Sequence, residues 1–324
     1  MEPFHSILKI YYTILAIIGV PVNLMTIVIL SQGRCGLSIC TTRYLVSMTT
    51  ADLLVILTTV LLYRGSSYYF PESFLQITPM CRITFVLLYA ASECSVWFTV
   101  AFSFDRFVAI CCQKLKTKYC TNKNVAVILS TTCILICSKN VAFYFRFEPG
   151  EIIDNIPWFC EENPNYYTAP GWVAFDWFDK IFTPLLPYVL ILLLNTLTVR
   201  HILVTSLVRK GLRGQSKGDD HNDPEMESRK KSMLLLFTIS GSFILLWFLY
   251  VIYFLYYIIA GLNPKNYSDF SYIFAEVAVM LVDLNCCSNA FIYGVTQSKF
   301  RECFISTVKY PLKLVMKSID KQTN

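Results

Sequence analysis

Asp105 and Arg106 stand side by side at the end of an apolar run that reaches back to Cys81. Charge at the edge of hydrocarbon is costly and is seldom kept without a use. The bland reading is an interfacial ion pair marking where the helix leaves the bilayer; the sharper one is a functional pair. Lys114, Lys116, Lys118 and Lys123 follow at once. A second ionisable group, Asp52, is the one charge in the stretch Leu45–Leu57. A carboxylate so placed is protonated, paired or holding a cation. Ser95, eleven residues before Arg106, and Asn285 and Asn289, four apart, point further oxygens toward a common interior if their segments are helical. Asn23, within Gly19-Val20-Pro21-Val22-Asn23-Leu24, is an amide deep in an apolar run and calls for a partner on a neighbouring helix. The three histidines, His5, His201 and His221, are scattered near ends or in loops, and no nucleophile–base motif accompanies them, so an enzyme is not expected.

The elements that position these groups follow from composition. Of 324 residues, 55% are hydrophobic and 15% charged, with a mean hydropathy of +0.51. A water-soluble chain carries about 25% charged residues. Apolar residues gather in seven blocks, roughly 7–30, 43–63, 80–112, 124–145, 172–204, 232–260 and 271–296. Each is long enough to cross about 30 Å of hydrocarbon as a helix, and none has the short alternating pattern of a barrel strand. The prediction is an all-α membrane protein, a seven-transmembrane helix bundle occupying 1–306, with a tail over 307–324. The net charge of +6 says little about nucleic acid, and no nucleic-acid partner is expected; its distribution says more, because 21 of the 28 Lys and Arg lie in 34–43, 106–123, 200–231 and 299–321. Positive charge stays cytoplasmic, which predicts an outer N-terminus, an inner C-terminus and an odd number of crossings. The first block lacks a basic leader and a cleavage site, so it reads as a helix and not a signal peptide. Asn266-Tyr267-Ser268, the sole Asn-x-Ser/Thr sequon, falls in a loop assigned outside, making Asn266 a glycosylation candidate.

These residues together resemble the rhodopsin-like (class A) G-protein-coupled receptors over nearly the whole chain. Asp105-Arg106-Phe107 resembles the family's Asp-Arg-Tyr, Gly19–Asn23 its Gly-x-x-x-Asn, and Phe243-x-x-x-Trp247 its helix-six pair. Asn289-Ala290-Phe291-Ile292-Tyr293 resembles Asn-Pro-x-x-Tyr with alanine for proline; Leu249 stands where a second helix proline is usual. Pro187 matches the helix-five proline, and Asn195 replaces a tyrosine two turns on. The wording of Gly19–Leu24 and Phe237–Trp247 looks most like the group of orphan receptors around probable G-protein coupled receptor 139. The resemblance implies a Cys81–Cys160 disulfide, a sodium ion held by Asp52, Ser95, Asn285 and Asn289, and an amphipathic eighth helix with Phe300 and Phe304 on one face. Cys303 on that segment is a lipidation candidate. It also implies coupling to a heterotrimeric G protein through Asp105, Arg106, Pro187, Asn195, Phe243 and Tyr293. Many members carry an acid on helix six that latches the arginine; Arg229 is found there, which leaves Arg106 to rely mainly on Asp105.

Inward faces of the outer half give the ligand candidates Tyr89, Ser92, Glu93, Lys180, Trp247, Tyr250, Phe254 and Asp283. Ionisable groups within membrane helices default to function, and Glu93, Lys180 and Asp283 are expected to pair with one another until a ligand bearing ammonium and carboxylate replaces them. Lys139 reads as snorkelling to the outer headgroups. A plasma-membrane receptor for an extracellular ligand follows, with a small peptide or aromatic amino-acid-like molecule implied by the resemblance. The alternative is a seven-helix transporter or ion-translocating protein, but no internal repeat supports it, and a retinal pump would need a lysine in 271–296, which has none.

Overall fold

Ser38, Thr121 and Ser268 each accept a hydrogen bond from the backbone N–H three residues on, at 3.2, 3.3 and 3.2 Å. Such side-chain caps fix where a helix begins. The structure, a computed structural model, describes residues 2–213, 224–260 and 268–309. Seven helices in it are long and apolar enough to cross a membrane. They are α1 (Glu2–Ser31), α2 (Ile39–Tyr69), α3 (Thr78–Cys111), α4 (Asn122–Phe145), α5 (Pro170–Arg213), α6 (Pro224–Ala260) and α7 (Asp269–Thr296). An eighth, α8, covers 298–309. Each helix begins two to eight residues before its apolar block because helix caps and first turns are polar. Asn266 lies outside the described residues, as does the side chain of Arg229.

Exposure is inverted relative to a water-soluble bundle. Ile17, Leu245 and Val295 are 69%, 73% and 78% exposed, while Asn23 and Asp52 are fully buried. Outward hydrocarbon and inward polar groups are what lipid demands of a helical bundle. Gly19 permits the closest approach: a Cβ there would meet Ile56 Cδ1 at 2.6 Å and Cys287 Sγ at 2.7 Å. One turn along, Asn23 Nδ2 donates to the carbonyls of Gly19 and Cys286 at 2.9 and 3.0 Å, tying α1 to α7.

Two helices change pitch partway. Residues Ile56–Gly65 of α2 and Ile181–Leu185 of α5 are π-helical, the latter around Pro184. The wider turn re-aims every side chain beyond it. Between α4 and α5, β1 (Phe147–Glu148) pairs with β4 (Glu161–Glu162), and β2 (Glu151–Ile153) with β3 (Ile156–Trp158), both antiparallel. The turn is Asp154-Asn155, with φ of 51° and 61°, a left-handed pair these two residues tolerate. A disulfide joins Cys160 to Cys81 at the start of α3, with Cα atoms 6.3 Å apart. Phe159 N–H donates to Gln76 O at 2.7 Å and Thr78 Oγ1 to Phe159 O at 2.7 Å, so beside the bridge the hairpin is also fastened to the first residue of α3 and the turn before it.

Candidate functional site

At the hairpin end, a cavity of about 410 Å³ opens between the helices. All eight residues taken as ligand candidates line it: Tyr89, Ser92 and Glu93 of α3, Lys180 of α5, Trp247, Tyr250 and Phe254 of α6, and Asp283 of α7. The expected mutual pairing of Glu93, Lys180 and Asp283 does not occur. Lys180 Nζ reaches Asp176 Oδ2, one turn back on its own helix, at 2.5 Å. Glu93 is held instead by Lys139, whose Nζ donates to Oε1 at 2.5 Å, and by Asn140 Nδ2 to Oε2 at 2.9 Å. The same ammonium pairs with Asp179 of α5. Lys139 therefore does not snorkel: its side chain is 13% exposed and turns into the bundle, joining α3, α4 and α5. Two inward carboxylates outweigh the headgroup region as a destination for a buried ammonium.

Arg64 and Arg146 were not among the candidates. Arg64 sits at the end of the π-helical stretch, bonded to Glu276 of α7 at 2.7 Å, with its guanidinium 5.1 Å from the Tyr12 ring centroid. Arg146 pairs with Glu162, lies 4.3 Å from the Tyr166 ring centroid and donates to the Tyr89 hydroxyl at 3.4 Å. Tyr167 donates to the same Glu162 at 2.7 Å, and burial together with that bond pushes its phenol up. The hairpin is thus locked to the cavity rim by charge-assisted bonds, the strong kind. On the floor, Trp247 stacks on Phe243 at 5.1 Å, and Phe243 packs in one buried cluster with Val96, Tyr188 and Ile191, adjoining the buried Pro187.

The middle of the bundle holds Asp52. Ser95 Oγ donates to its Oδ1 at 2.5 Å and Asn289 Nδ2 to its Oδ2 at 2.8 Å; Asn285 is buried on the same helix as Asn289. At the far end, Arg106 Nε donates to Asp105 Oδ2 at 3.0 Å, and both residues are buried. Arg106 Nη1 also donates to Ser232 Oγ of α6 at 3.2 Å. Asp105 is therefore not its sole support. Ser240 Oγ donates to Asn195 Oδ1 at 2.9 Å, a second polar tie on α6, and Tyr293 packs edge-on against Phe300 of α8 at 5.9 Å.

These features, an arginine buried at one end of seven helices and a charged cavity at the other, fit what sequence comparison finds. The profile of the 7 transmembrane receptor (rhodopsin family) matches residues 22–293. The chain belongs to that family. It is a G-protein-coupled receptor, and the transporter alternative is not favoured. The receptor is 21% identical to cysteinyl leukotriene receptor 1 of Sus scrofa over 285 residues, covering 87% of this chain and 78% of the relative. It is 23% identical to C-C chemokine receptor type 1 of Macaca fascicularis over 301 residues, 90% and 76% of the two chains. Rhodopsin of Petromyzon marinus is 22% identical over 312 residues, 95% and 82%.

Eleven cysteines in the receptor are free. Near the arginine end, burial and the Asp105 charge push the Cys120 thiol up to about 12, and burial pushes Cys35 up to about 11. Protonated thiols are poor nucleophiles, which agrees with packing as the role of these two.

Proposed function

We propose that the receptor faces its hairpin outward at the plasma membrane and its Arg106 end inward, and that an extracellular ligand in the cavity shifts α6 away from Arg106 to admit a G protein α-subunit. One observation carries this reading: the ligand candidates and Arg106 lie at opposite ends of one bundle, connected by the packed layer of Trp247, Phe243 and Val96. The clustering of Lys and Arg at the Arg106 end supports the orientation. A ligand in contact with Trp247 biases the bundle only by its unequal affinity for two arrangements of that layer. The aromatic lining suits a small peptide or an aromatic amino-acid-like ligand. A ligand screen on cells, read by G-protein activation, tests the proposal. Ligand-dependent nucleotide exchange is expected; ligand-driven current through reconstituted receptor without exchange would instead restore the transport alternative.

Sodium is proposed for the Asp52 site on the chemistry of its donors. The carboxylate is fully buried, and the two partners bonded to it, Ser95 and Asn289, are neutral. Hard oxygen donors from Asp52, Ser95, Asn285 and Asn289 are the type such a cation takes, and the ion would supply the missing counter-charge. Sodium at ten times its Kd is expected to stabilise the purified receptor by about 1.4 kcal/mol, measured as a rise in Tm when sodium chloride replaces N-methylglucamine chloride. Asp52→Asn should erase the difference; an undiminished sodium response in that variant counts against the site.

A further inference from the structure

Around the cavity the ion pairs do not balance. Arg64, Arg146 and Lys180 are each matched by one acid, Glu276, Glu162 and Asp176. Lys139 alone serves both Glu93 and Asp179. Asp283 is left over. It lines the cavity at 4% exposure, and its Oδ2 has no hydrogen-bond partner among the described residues. The Tyr12 hydroxyl and the Arg64 guanidinium lie close enough to act on it, yet neither closes a hydrogen bond on Oδ2, and Arg64 bonds Glu276 through Nη2. Burying an unmatched carboxylate is costly unless something completes it.

The surroundings say what would complete it. Trp247, Tyr250, Tyr253 and Phe254 of α6 line the same cavity, and aromatic faces attract organic cations. Glu148, Glu151, Asp154 and Glu161 stand exposed on the hairpin, and 147–163 contains no Lys or Arg. An acidic approach raises the local concentration of cations and repels anions. A ligand carboxylate, by contrast, would have to share a cation that already carries an acid, because every cation lining the cavity among the described residues is paired.

We propose that the ligand is an organic cation whose ammonium or guanidinium group is held by Asp283, in the cavity that the α6 aromatics also line. This deepens the receptor reading and rests on it for the claim that a ligand enters here. The ammonium can belong to a small amine or to the end of a basic peptide.

The test reads binding alone, so that a failure to couple to G protein cannot be mistaken for its failure. Purified receptor is unfolded thermally with 2-phenylethylamine, phenylguanidine, the dipeptide Arg-Phe-amide, neutral 2-phenylethanol and the acid 3-phenylpropionate. At least one cation should raise the Tm of wild type, and the alcohol and acid should not. Asp283→Asn should weaken binding of the stabilising cation by about 10- to 100-fold, the worth of one charge-assisted bond. Asp283→Glu, which keeps the charge, should retain a response and thereby separates lost recognition from lost folding. Stabilisation by phenylethylamine or phenylguanidine assigns the cation to a small amine, and stabilisation by the dipeptide alone to a peptide end. A wild type stabilised by no cation, an alcohol or acid as effective as the amine, or an Asp283→Asn variant that binds the cation undiminished would each overturn the proposal.

Discussion

Lys139→Met is expected to destabilise the receptor by about 3–5 kcal/mol, the usual consequence of removing one partner from a buried ionic cluster. The reason is stoichiometric. One ammonium, 13% exposed, holds Glu93 from α3 and Asp179 from α5. Methionine fills a similar volume, so the lost methylenes contribute little, and the cost is that of two carboxylates facing each other with no counter-charge. Asn140 Nδ2 remains on Glu93 Oε2 at 2.9 Å but is neutral. Thermal unfolding in detergent should show a fall in Tm on the order of 5–10 °C. The companion variant decides the cause: Lys139→Met with Glu93→Gln and Asp179→Asn removes all three charges and should recover most of the loss, since neutral replacements of a buried ionic set are often well tolerated. A single variant as stable as wild type, or a triple variant no better than the single, would show that the lysine matters for packing and not for charge.

Much of this arrangement was legible in the residues, and the exceptions have identifiable causes. Asp52, Ser95, Asn289 and Arg106 could be placed because each is a polar group in a long apolar run, and a regular helix fixes its face relative to others on the same segment. Lys139 could not. Its nearest acids are on α3 and α5, and one sequence does not record how α4 is rotated against them, so the apolar context alone favoured the headgroups. Arg64 was missed for a local reason. It lies in the last turn of a π-helical stretch, Ile56–Gly65, whose wider turn shifts the phase of a 3.6-residue period. Arg146 lies just past the end of α4, where a cation looks like an ordinary helix boundary; only the hairpin folding back brings Glu162 and Tyr166 to it. Ser232 carried a signal that pointed elsewhere: after Arg229, Lys230 and Lys231 it reads as a weak kinase match. Its partner on α3 depends on the vertical registry of two helices 126 residues apart in sequence.

That registry leads to the prediction with the clearest sign. Ser232→Ala should raise ligand-free nucleotide exchange on added G protein, and Arg106→Ala should reduce exchange by more than tenfold. The two residues touch, yet the substitutions are expected to act in opposite directions, because one removes a restraint and the other removes the group that the restraint withholds. Helix α6 runs unbroken as an α-helix from Pro224 to Ala260, with Leu249 where a proline could have provided a bend. Without a preset kink, the inner part of α6 is held in place by what it touches: Arg106 through Ser232 at 3.2 Å, and Asn195 through Ser240 at 2.9 Å. A hydrogen bond to a charged group contributes about 1.5–3 kcal/mol. If that contact exists only in the resting arrangement, losing it multiplies the active-to-resting ratio by about ten or more. Exchange rates at matched receptor amounts measure both effects, and the double variant should behave as Arg106→Ala, since an open cleft without its guanidinium has nothing to present. Equal basal rates in Ser232→Ala and wild type would remove the restraint from the account. Undiminished exchange in Arg106→Ala, with receptor still at the cell surface, would remove the arginine from it, and with it the assignment of this end of the bundle to G-protein coupling.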